Sequence, residues 1–78
     1  MAGRVEKVFA EVLRMPLESI TDASSPDNTP KWDSVAAIDL TLAIEDEFGV
    51  TFTTKEIIAM RSIALVKQIL SVRGIADV

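Results

Sequence analysis

An aspartate followed directly by a serine, Asp33-Ser34, opens the apolar run Val35-Ala36-Ala37-Ile38 in this 78-residue sequence. Here residue types and spacing point to chemistry on a single side chain. If a helix begins there, the Ser34 hydroxyl lies in its first turn, where unpaired backbone N–H groups and the helix dipole favour a negative group such as a phosphodiester. The pair also has a plainer reading, because Asp and Ser are both preferred at helix starts for the backbone hydrogen bonds they accept. Taken alone, Asp33-Ser34 does not choose between a modified serine and a structural cap.

Other chemistries are easier to exclude. With no cysteine and no histidine, the chain has no thiolate nucleophile, no disulfide and none of the commonest general bases or zinc ligands. The three glycines are scattered at Gly3, Gly49 and Gly74, so no phosphate-cradling loop forms. Residues 22–33 have the length and some of the acids of a calcium loop, but Pro26 sits at its fifth place and Asp27 where the turn needs glycine. No catalytic role and no metal are assigned, and the expectation is a protein that is not an enzyme.

The formal net charge of −4 argues against nonspecific binding to nucleic acid or anionic membrane and suits a basic protein partner. Positions 33–48 hold five acidic residues and no Lys or Arg, while the rest of the chain holds eight basic and seven acidic residues. The negative charge is therefore concentrated on one segment. Met1 to Glu11 mixes charges with isolated apolar residues, which fits neither a signal peptide nor a membrane span. A soluble, cytoplasmic, monomeric protein is expected, with residues 1–78 forming a single domain that has one small core.

The elements that must position Ser34 can be read from periodicity. Val5, Val8, Phe9, Val12 and Leu13 recur at amphipathic-helix spacing and predict a first helix over about residues 3–14, stopped by Pro16. Residues 15–32, with three prolines among Ser, Thr, Asp and Asn, resist helix and strand alike and predict a long loop pinned by Leu17, Ile20 and Trp32. Such a loop is either functional or simply returns the chain along the bundle. Trp32 either anchors a partner or, the preferred reading, folds over the start of the next helix. A second helix is predicted over 34–48, capped by Asp33 and closed by Gly49. Thr53 and Glu56 have capping-box spacing for a short helix to about Met60, and Ser62 caps a last helix ended by Gly74. The fold class is all-α, a small bundle of three main helices plus one short helix. Met15 and Met60 read as core fillers, and Lys55, Arg61, Lys67 and Arg73 as solvated faces.

Turning the second helix at about 100° per residue puts Ala37, Leu40, Ile44 and Phe48 on a core stripe. On the other side Val35, Ile38 and Leu42 cluster, flanked by Asp39, Glu45 and Asp46. Some of these apolar residues could pack beneath the long loop or the last helix. Otherwise they form an apolar centre with a charged rim, which is how a protein-docking surface is built.

The stretch Trp32-Asp33-Ser34-Val35-Ala36-Ala37-Ile38-Asp39-Leu40, continuing Leu42-Ala43-Ile44-Glu45-Asp46-Glu47-Phe48-Gly49-Val50, resembles the acyl carrier protein family, whose second helix opens with Asp-Ser-Leu or a close variant. The resemblance extends over length, helix order, long first loop and last helix. It implies a four-helix bundle in which a phosphopantetheinyl transferase, using coenzyme A and magnesium, attaches 4'-phosphopantetheine to Ser34. The thiol of that arm would carry acyl intermediates as thioesters for fatty-acid, polyketide or related biosynthesis. Asp33, Val35, Asp39, Leu42, Glu45 and Asp46 fall where the family meets its loading and processing enzymes, through basic patches on those partners.

Val35 replaces the usual Leu or Met after the serine, Ala36 stands where fatty-acid carriers often have an acid, and Thr29-Pro30-Lys31-Trp32 replaces their approach to the serine. In these respects the chain looks more like specialised, free-standing carriers of secondary or surface-polymer pathways. Two other classes remain at this point: an unmodified helical interaction module using the same acidic face, and a structural subunit that buries Val35, Ile38 and Leu42 between copies.

Overall fold

The computed structural model describes residues 3–76 and 78. Their order is α1 (Arg4–Leu13), a single 3-10 turn (Leu17–Ser19), α2 (Ser34–Phe48), α3 (Thr54–Ala59) and α4 (Ile63–Val72), with no strand among the described residues. The all-α architecture is that expected, and each helix boundary lies within a residue or two of its predicted place. Val5, Phe9 and Leu13 of α1, Leu40 and Ile44 of α2, and Ile63, Val66 and Leu70 of α4 form one buried core, completed by Ile20, Trp32 and Phe52 from the connections. Val8, Val12, Met15 and Met60 pack against it half-buried, so the methionines do fill its edges.

Helix ends are closed by the residues the sequence provides for them. Asp33 accepts from the Ala36 amide at 2.9 Å, and Gly49 takes the left-handed conformation with φ 65°, a turn that costs glycine least. Thr53 and Glu56 make both bonds of the capping box, and the Ser62 hydroxyl accepts from the Leu65 amide at 3.1 Å. The C-terminal end of α1 is less ordinary. Arg14 is left-handed with φ 55°, and the Lys31 ammonium donates to its carbonyl at 3.1 Å. α1 begins at Gly3 without a side-chain cap, and the Val78 carbonyl accepts from the Val5 amide at 3.0 Å instead.

The long loop is a built part of the bundle. Its carbonyls at Ser24 and Asp22 accept from the Ile63 and Ala64 amides, each at 3.1 Å, which satisfies the donors that every helix leaves open at its N-terminus. Asn28 holds the loop in shape, accepting from the Ser25 amide and donating to the Ala23 carbonyl, both at 2.9 Å. Trp32 is 4 % exposed, and its ring meets Phe9 edge-on with centroids 4.9 Å apart, so it secures the approach to α2 from inside the core.

Two of the four cations expected on solvated faces are structural. Lys67 bridges α1 and the loop, reaching Glu6 and Asp22 at 2.6 Å each. Partial burial works against its charge, but the bonds to Asp22 and Glu6 outweigh this and raise its pKa. Arg73 donates from Nε to Glu56 at 2.9 Å and pairs through Nη2 with the other oxygen of the same carboxylate. Its guanidinium also lies 5.5 Å from the Phe52 ring centroid. Lys55 and Arg61 are exposed, as expected.

Two outcomes follow. Trp32→Ala removes the ring that joins the loop to Phe9 and is expected to cost about 3–5 kcal/mol. That is a large share of the roughly 4–12 kcal/mol a domain of this size has, and urea unfolding followed by circular dichroism reads the loss. The Arg73 hydrogen bond, with help from the Thr53 amide, lowers the Glu56 pKa from 4.5 to about 2. A carboxyl lowered in the folded state contributes stability above its unfolded value and loses it as pH falls through the folded one. The urea midpoint of Glu56→Gln should therefore lie below wild type at pH 6 and converge with it between about pH 4.5 and 2.

Candidate functional site

The site is assembled at the head of α2. Asp33 is extended with φ −97°, its carboxylate takes the Ala36 amide, and its carbonyl takes the Ala37 amide at 2.8 Å. With those two donors satisfied by Asp33, Ser34 is not needed as the cap. It becomes the first helical residue, exposed, and its hydroxyl has no hydrogen-bond partner among the described residues. The backbone N–H groups of Ser34 and Val35 likewise lack an acceptor there, so the turn presents a free hydroxyl beside two free donors.

From Ser34 the exposed side of α2 runs through Val35, Ile38 and Leu42, which are 71 %, 63 % and 58 % exposed. None of them packs beneath the loop or α4. The buried side consists of Leu40, Thr41 and Ile44, with Ala37 and Phe48 half-buried against the core. Thr41 was absent from the expected core stripe. It is accommodated because its hydroxyl donates to the Ala37 carbonyl one turn back, at 2.8 Å.

The acids separate into two groups. Asp39 and Asp46 are exposed and make no ion pair among the described residues. Glu45, expected on the docking rim, is half-buried and accepts from the Phe52 amide at 2.8 Å, tying the end of α2 to the chain leading into α3. The reason is geometric: Glu45 lies seven residues before Phe52, and the turn at Gly49 folds that amide back over the last turn of α2. Glu47 is held by Arg4, which donates from Nε to its carboxylate at 3.0 Å and from Nη2 to its carbonyl at 2.9 Å, and which lies 4.4 Å over the Phe48 ring. Of the six residues expected to dock partners, the structure gathers Val35, Asp39, Leu42 and Asp46 on one free face. Asp33 caps the helix beside it, and Glu45 turns inward.

A cavity of about 250 Å³, not foreseen from periodicity, opens beside this face. Ile38 and Leu42 of α2 form one lip and Ile57 of α3, with Met60 just past its end, the other, while Phe9 and Trp32 contribute to the wall within. Among the described residues that line it, Thr41 and Glu45 alone have polar side chains apart from the indole of Trp32. Periodicity within one helix does not reveal where two helices part.

No group of His, Cys, Asp or Glu able to hold a metal ion occurs among the described residues, and no helix there is long and apolar enough to cross a membrane. Comparison with curated proteins gives no significant match. The profile of the family described as a phosphopantetheine attachment site matches residues 3–70, from the N-cap of α1 into α4 and across the whole Ser34 region. The chain therefore belongs to the phosphopantetheine-attachment family, to which acyl carrier proteins belong.

Proposed function

We propose that Ser34 is the attachment residue, and that the protein is a non-catalytic acyl carrier which presents cargo to successive enzymes. The observation that carries this reading is the unpartnered Ser34 hydroxyl at the first turn of a helix whose exposed face is apolar.

The residues present fit the 4'-phosphopantetheine that members of this family carry. The Ser34 oxygen is open to an incoming phosphoryl group, and the free amides of Ser34 and Val35 can hydrogen-bond the resulting phosphodiester. Asp33 keeps its carboxylate on the Ala36 amide, so the helix start stays closed whether or not the serine is substituted. When bound, the arm supplies a thiol that holds an acyl group as a thioester. Val35 and Leu42 give partner enzymes a dry contact, while Asp39 and Asp46 draw their basic patches and speed encounter, an effect that salt weakens. Weak docking combined with a tether keeps the cargo at high local concentration while leaving the carrier free to move on.

The phosphopantetheinyl transferase and acyl-loading and processing enzymes of fatty-acid, polyketide or related biosynthesis are the proposed partners, and the cytoplasm the proposed compartment. The competing reading, an unmodified interaction module, uses the same face but has no need of the Ser34 hydroxyl.

Incubation with coenzyme A, magnesium and a broad-specificity phosphopantetheinyl transferase should add the mass of one phosphopantetheinyl group, and Ser34→Ala should abolish the gain with helix content unchanged. An unaltered wild-type mass, beside a control carrier that is modified, overturns the proposal. Asp39→Lys combined with Asp46→Lys should slow loading at low salt while shifting stability by no more than about 0.5 kcal/mol, as exposed substitutions do. Glu45 is left out of that pair because replacing it would strand the Phe52 amide.

A further inference from the structure

The apolar strip on α2 continues past the edge of that helix. Ile57 of α3 forms the cavity lip opposite Ile38 and Leu42, is itself 41 % exposed, and is followed by the more exposed Ile58. One apolar band therefore runs from Val35 across the cavity mouth to α3, and its two margins carry opposite charge.

On the α2 margin stand Asp39 and Asp46, exposed and without ion pairs among the described residues. On the α3 margin, Lys55 lies about 160° around the short helix from Ile57, the residue turned toward α2, and so on the far side. Arg61 follows the end of α3. Both are exposed, and neither side chain has a hydrogen bond or ion pair among the described residues. The other two cations of this half are engaged, Lys67 with Glu6 and Asp22, and Arg73 with Glu56. Glu56, the acid that α3 carries, is neutralised by that pairing. Lys55 thus makes the α3 margin positive, with Arg61 adding positive charge just past the end of the helix, and the α2 margin is negative.

From this we infer that the docking surface is two-signed. It selects a partner whose basic residues meet Asp39 and Asp46, whose acidic residues meet Lys55 and Arg61, and whose apolar ridge lies between. This deepens the carrier reading and rests on it. A uniformly basic partner face would satisfy α2 but bring like charge against α3, and repulsion of that kind is how interfaces reject wrong partners. Screening over about 8 Å at physiological salt lets each margin act on the group facing it. A second copy, turned antiparallel, would also match charge for charge, but it would cover the surface beside Ser34 and obstruct the hydroxyl that the carrier reading requires to be free.

The test uses the full chain and two synthetic amphipathic helical peptides of about 18 residues with the same apolar face. One has Lys along both margins of that face, the other Lys along one margin and Glu along the other. In nuclear magnetic resonance titrations at low salt, the two-signed peptide should bind about fivefold more tightly and shift amides of both α2 and α3. Lys55→Glu with Arg61→Glu should reverse that preference with helix content unchanged. The inference is overturned by equal affinities, by preference of the wild type for the all-Lys peptide, by an unchanged preference in the double variant, or by no shift on α2 and α3 with either peptide. A concentration-dependent dimer in sedimentation, broken by the double variant, assigns the face to a second copy and overturns it too. Transfer to Ser34, read by mass in the same double variant, reports on the carrier reading separately.

Discussion

A helix in a domain this small can bury one side only. In α2 that side is taken by Leu40 and Ile44, which reach the same core as Phe9, Val66 and Leu70. What α2 leaves at the surface follows from this limit. Val35, Ile38 and Leu42 remain in solvent because no second layer exists to cover them, and the hydrophobic effect then favours any partner that does. The same limit keeps Ser34 at the surface, since the first turn emerges from the core immediately after Trp32.

The proline-rich connection is what makes so small a core hold together. Instead of passing idly over the surface, it gives two carbonyls to the start of α4, an ionic anchor at Asp22 to Lys67, and the Trp32 ring to Phe9. The loop thus holds α4 together with the core residues Ile63, Val66 and Leu70, and the segment that ends at Asp33 is fixed at several points before α2 begins. The position of the serine is thus set by the loop as much as by the helix that carries it.

Ion pairing sorts the charged residues by role. Glu6, Asp22, Glu47 and Glu56 are paired with Lys67, Arg4 or Arg73 and hold elements to one another. Glu45 joins them through the Phe52 amide, and its charge helps to hold Arg73 protonated. The exposed Asp39 and Asp46 are left to define how the surface looks to an approaching protein. A segment with five carboxylates therefore offers partners fewer than its composition suggests, and the two exposed cations near α3 alter the pattern again.

The sequence by itself determined the helices, their caps and the place of Ser34, because these depend on short-range effects. Apolar spacing sets each helix's buried face, Asp33 and the Thr53–Glu56 pair satisfy backbone donors three residues away, and Gly49 permits a left-handed turn. Tertiary structure alone decided what depends on distant parts of the chain. It turned Glu45 inward to Phe52, engaged Lys67 and Arg73 in bridges, laid two loop carbonyls on the first amides of α4 and opened the cavity between α2 and α3. A side chain's partner across the fold is chosen by how separate elements pack, and no periodicity within one element encodes that choice.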